Sequence, residues 1–88
     1  MSELLDLFVR LVETLSPSEH ERAVADLVLA HLRASGLDPV EDDSAAKARA
    51  GSGNIHVVVE GRGEGTPILV AAHLDTVAVD GHVRAVVD

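Results

Sequence analysis

Apolar side chains recur at Leu4, Leu5, Phe8, Leu11, Val12 and Leu15, the i, i+3, i+4, i+7 spacing that lines one face of an α-helix, so the pattern predicts an amphipathic helix over 3–15. Ser2 stands where an N-cap belongs. The helix is expected to stop at Ser16-Pro17-Ser18, because a proline pushes the residue before it out of helical geometry. Ser18 can then cap a second helix. Ser18-Glu19-His20-Glu21 has the form of a capping box, in which the Glu21 carboxylate returns to the Ser18 amide. That helix should run to about Ser35, with Val24, Leu27, Val28 and Leu32 on one face and Gly36 as its terminator.

The period changes after Gly36. Residues 37–41 suit a short edge strand that tolerates Pro39, and 42–53 are polar and small, the pattern of a loop. Residues 54–60 are β-branched and predict a strand. Gly61-Arg62-Gly63-Glu64-Gly65 reads as a hairpin turn leading into a further strand over 66–72. This last segment, Ile68-Leu69-Val70-Ala71-Ala72, is apolar on both faces, as a central strand would be. Val83, Val86 and Val87 suggest one more extended piece. Two helices followed by strands predict an α/β layer structure.

Composition limits how much such a structure can bury. Eighty-eight residues make one small domain, and 47% hydrophobic against 25% charged residues places it among globular rather than disordered chains. One Phe and no Trp or Tyr leave a core of Leu, Val and Ala, easier to understand if more chain packs on it. A net charge of −8, with only seven scattered Lys and Arg, argues against nucleic acid and against an anionic membrane surface as partners. The acidic residues near the N-terminus stand where a signal peptide would be basic. No apolar run approaches the roughly 20 residues of a membrane span, so a cytoplasmic protein is expected. With no Cys, any metal must be held by His and carboxylate.

The chemistry-bearing pattern is His73-x-Asp75, directly after the 68–72 run. Ligands of open α/β sheets bind at the carboxyl ends of central strands, and a metal-bound imidazole needs a carboxylate or carbonyl to fix its tautomer. The other histidines fit blander roles. His20 and His31 lie near the ends of the second helix, His56 points outward from a strand, and His82 follows Gly81 in a turn as the one rival for a second ligand. Neither glycine cluster, Gly51-Ser52-Gly53 or Gly61–Gly65, has phosphate-loop spacing. Asp75-Thr76-Val77 lacks the glycine of the aspartic-protease turn.

Ala72-His73-Leu74-Asp75-Thr76-Val77 resembles the first metal-binding motif of the zinc-dependent aminoacylase, glutamate carboxypeptidase and acetylornithine deacetylase superfamily, with the tripeptidase T-like branch fitting best. Three further features agree: the Ser16-Pro17-Ser18-Glu19-x-Glu21 helix start, the Ala34-x-Gly36-Leu37 turn into Asp42-Asp43, and Gly53-Asn54-Ile55 before the next strand. The resemblance implies an α/β/α sandwich catalytic domain with two zinc ions bridged by a carboxylate and a water. It makes His73 a metal ligand and Asp75 the catalytic-site residue that orients it. The family's bridging Asp, its paired Glu and its later ligands belong downstream of the matched region. Residues 1–88 are therefore expected to be the first part of a zinc peptidase catalytic domain, without the dimerisation domain and inactive alone. The parent is expected to act on short peptides, or on N-acyl amino acids as a deacylase, and to be a homodimer. A non-haem iron oxygenase also uses H-x-D but needs a β-barrel, which the leading helices oppose. The non-enzymatic alternative is a small α/β binding module in which His73 and Asp75 only hydrogen-bond.

Overall fold

The computed structural model describes residues 2–79 and 81–88. Helix α1 spans Glu3–Glu13, and the Ser2 hydroxyl accepts the Leu5 amide at 3.1 Å, as its cap position predicts. The amphipathic pattern is present but barely used. No residue of α1 is buried, and Leu4 remains 77% exposed.

Helix α2 spans Arg22–Ala34 and carries the buried apolar residues Val24, Ala25 and Leu29. Its C-terminus closes on Gly36 (φ 85°): the Gly36 amide donates to Arg33 O and the Leu37 amide to Leu32 O, the paired bonds of a Schellman motif. The N-terminus departs from the expected capping box. The helix begins at Arg22 with Glu21 at the cap position and no side-chain cap bond. Glu21 sends its carboxylate instead to the amides of Glu19 and Gly51, while the Ser18 hydroxyl is used elsewhere. A turn over Pro17–His20, closed by the His20 amide on Pro17 O at 2.9 Å, places Ser18 and Glu19 outside helical geometry and so denies the box its register.

Strands β1 (Val40–Glu41) and β2 (Ile55–His56) form a two-stranded antiparallel sheet, with Val40 opposite His56 and Glu41 opposite Ile55. The expected loop between them holds a single helical turn, α3 (Ala45–Ala48), which its small residues had not announced. Charge fastens this ribbon to α2. Arg22 makes a two-pronged contact with Glu41 at 2.8 and 2.7 Å, and Glu41 also accepts the Gly53 amide at 2.9 Å. The Arg22 hydrogen bonds, followed by the Gly53 amide and against the effect of burial, hold Glu41 at about 2 rather than 4.5. Asp42 is likewise held at about 2 rather than 3.8, first by the Ser44 hydroxyl and then by the amides of Ser44 and Asn54.

Both carboxyls are therefore more acidic folded than unfolded. Their stabilisation is complete above the ordinary values of 4.5 and 3.8 and is lost as pH falls through about 2. Urea midpoints measured across this acid window should fall with pH in the wild type. The fall should be shallower in Glu41→Gln, with the remaining slope carried by Asp42 and the other carboxyls held below their ordinary values, Glu21 and Asp75.

The strands expected over 54–60 and 66–72 are corrected by the structure. Only Ile55–His56 pairs, and the 66–72 segment lies outside any ladder, with Ile68, Leu69 and Val70 exposed to 86, 92 and 87%. A strand apolar on both faces is stable only between neighbouring strands and covering layers, and the described residues supply neither. The radius of gyration, 14.8 Å against about 12 Å for a compact chain of this length, records the same openness. The result is an α/β arrangement of helices and one small sheet. Among the described residues no helix is long and apolar enough to cross a membrane.

Candidate functional site

The His73–Asp75 segment is placed by Ser16-Pro17-Ser18 rather than by a central strand. The Thr76 amide donates to Ser16 O at 2.8 Å, the buried Ser16 hydroxyl donates to Leu74 O at 3.0 Å, and Pro17 and Thr76 form an isolated parallel bridge. Pro17 suits this edge position, since it has no amide to leave unpaired. Ser18 then donates its hydroxyl to Asp75 Oδ2 at 2.6 Å. The sequence signal for these contacts is the polar Ser-Pro-Ser triplet itself, which helix-capping logic had assigned wholly to local structure.

Asp75 presents its other oxygen to the histidine: Nδ1 of His73 lies 3.4 Å from Oδ1. The Ser18 hydrogen bond, opposed by burial and assisted by the neighbouring His73, keeps the Asp75 carboxyl below its usual range. The imidazole is otherwise open, its side chain 93% exposed. The two residues singled out by sequence are thus brought side by side, at a separation longer than an ordinary N–H···O hydrogen bond.

Glu21 supports the same region from behind. It is buried, which raises its pKa, but the Gly51 and Glu19 amides outweigh burial and hold it below the ordinary value. A side chain at Gly51 would stand 2.7 Å from the Glu21 backbone nitrogen, so glycine is what allows the loop to reach this carboxylate. An open groove of about 570 Å³ runs past the site, with Val28 and Leu32 of α2, His56, Glu21, His73 and Asp75 among its walls. His56 is exposed, as its strand alternation predicts, and His82 is exposed after Gly81 (φ 76°).

The donor chemistry matches zinc in kind: an imidazole backed by a carboxylate, with no thiolate in the chain. Among the described residues no group of three or more His, Cys, Asp or Glu gathers around a common point.

Comparison with known proteins finds a distant relative. The chain is 29% identical over 85 residues to the uncharacterized protein YqjE of Bacillus subtilis (strain 168), an alignment covering 97% of this chain and 23% of that protein. The chain thus spans about a quarter of the length of the curated relative it matches. No family model matches the chain, and no solved structure matches it.

Proposed function

We propose that these residues form the N-terminal part of the catalytic domain of a zinc-dependent peptidase, resembling the tripeptidase T-like branch of the aminoacylase and glutamate carboxypeptidase superfamily. The observation that carries the reading is the His73–Asp75 pair, an open imidazole with a carboxylate at 3.4 Å from Nδ1. The match to a quarter of a longer relative and the uncovered apolar segment 68–70 support a larger α/β/α sandwich in which that segment becomes an inner strand. In this reading the parent is a cytoplasmic homodimer that hydrolyses short peptides, with two zinc ions per site.

His73 would hold one zinc ion, and Asp75 would fix the ring so that Nε2 faces it. When bound, the metal pair would lower the pKa of a shared water and polarise the scissile carbonyl. The residues in hand position a ligand and screen one side of the groove; the proton-accepting carboxylate and the other ligands would come from the rest of the parent.

The expected result is that the purified 88-residue chain shows no tripeptide turnover with zinc, whereas the longer protein carrying it contains zinc and releases amino-terminal residues from tripeptides. Turnover by the short chain, or a longer protein without bound metal, would overturn the reading. A panel including N-acyl amino acids separates peptidase from deacylase.

A further inference from the structure

Ser18 has no role in the reading above, and its geometry is unusual for a residue that could simply have capped a helix. It occupies the second position of the Pro17–His20 turn, and the third position, Glu19, has φ 75°. Positive φ at that position is the pattern of a type II turn, where glycine is the ordinary choice. A glutamate there is strained, and such strain persists only where surrounding contacts over-determine it. Two of those contacts are on hand: the Glu19 amide is taken by Glu21, and Ser16 on the preceding side is bonded to both Leu74 and Thr76. The turn is therefore held from both ends, and what it displays between them is the Ser18 hydroxyl.

That hydroxyl donates to Asp75 Oδ2 at 2.6 Å, a short hydrogen bond of the kind made to a charged acceptor. The two oxygens of Asp75 are thereby given different tasks, Oδ2 toward Ser18 and Oδ1 toward His73 Nδ1. A carboxylate left to itself would not keep them apart, because its terminal torsion is broad and nearly two-fold.

We infer that Ser18 is the positioning residue of the His73–Asp75 pair: by fixing one Asp75 oxygen it directs the other to Nδ1 of His73, which favours the proton on Nδ1 and leaves the lone pair of Nε2 free. The significance for metal binding rests on the zinc reading above; the proton placement does not. Ser18 acts through Asp75 and would touch neither metal nor substrate. Because Ser18 is exposed, removing its hydroxyl does not open a cavity, and Ser18→Ala should fold like the wild type.

The test is the tautomer of neutral His73 in the uniformly ¹⁵N-labelled 88-residue chain, read from ring nitrogen shifts by long-range ¹H–¹⁵N correlation and assigned with His73→Ala. The ratio of Nδ1–H to Nε2–H forms should fall by about two-fold or more in Ser18→Ala and return in Ser18→Thr, which restores a hydroxyl. An unchanged ratio in Ser18→Ala, or an equal fall in both variants, would overturn the inference. Should Ser18→Ala lose its fold by circular dichroism, Ser18→Thr against Asp75→Asn decides: the inference requires the Thr variant to keep the wild-type ratio and the Asn variant to lose it. The outcome is separable from the zinc reading. A shifted tautomer together with a parent indifferent to His73→Ala sinks the hydrolase and leaves Ser18 in its role, and the reverse pattern sinks only the role of Ser18.

Discussion

Replacing His73 by alanine in the longer protein is expected to abolish peptide hydrolysis, with kcat/KM falling by about 1,000-fold or more, equivalent to about 4 kcal/mol of transition-state stabilisation. His73 is the one imidazole in the described residues with a carboxylate placed at its Nδ1, and its ring is otherwise open. If it holds a zinc ion, no neighbouring side chain on this chain is placed to replace it, since no further donors converge there among the described residues. Metal content by atomic emission should fall in parallel with activity, and folding by circular dichroism should not change, because an exposed side chain contributes little to packing. Asp75→Asn should give a milder loss, on the order of 10 to 100-fold in metal affinity, as expected of a partner that orients a ligand. A parent that keeps both its metal and its turnover without His73 would reduce the pair to a structural contact, the binding-module reading.

The largest effect on stability is expected at Gly53. A Cβ there would run into the backbone carbonyl oxygen of Asp42 and also reach within 2.7 Å of its carboxylate. Neither obstacle can swing aside, because Asp42 Oδ1 is engaged by Ser44 and by the Asn54 amide, while the Asp42 amide bonds to Asn54 O at 2.9 Å. Gly53→Ala should therefore cost about 3 kcal/mol, the upper part of the usual overpacking range. Small domains hold only about 5 kcal/mol in total, so only about 2 kcal/mol would remain and roughly 3% of the molecules would be unfolded without denaturant. Urea titration at neutral pH reads the loss directly. The Gly53 amide also donates to Glu41, so the variant should blunt the acid sensitivity described above. A midpoint within experimental error of the wild type would mean that the β1–β2 ribbon shifts freely, contrary to its hydrogen bonding.

The local elements were legible because their causes are local. Ser2 caps α1 and Gly36 ends α2 in a Schellman motif, each through contacts within a few residues. The pairing of His73 with Asp75 was legible for the same reason, being two positions apart. The Ser18-Glu19-His20-Glu21 pattern misled because two physical demands compete for the same side chains. Local capping would use Ser18 and Glu21 on their own helix, whereas Asp75 and Gly51, 57 and 30 residues further on, take them instead. Hydrogen bonds to a charged carboxylate and to a buried amide outweigh a solvent-exposed cap. The apolar run 68–70 misled differently: its composition correctly states what environment it needs, but the needed neighbours are a property of assembly rather than of the run.

What the sequence by itself determined was therefore the two long helices, the cap of α1 and the C-terminus of α2, the α/β class and the identity of the His73–Asp75 pair, since side-chain period, capping chemistry and short spacing are encoded residue by residue. What only the tertiary structure decided was how that pair is held. Ser16 and Ser18 reach it across 58 and 57 residues, and Glu21 ties the Gly51 loop in behind. Such contacts form when distant backbone is brought together against the entropy of the intervening chain, and no local pattern records which of several polar partners will win.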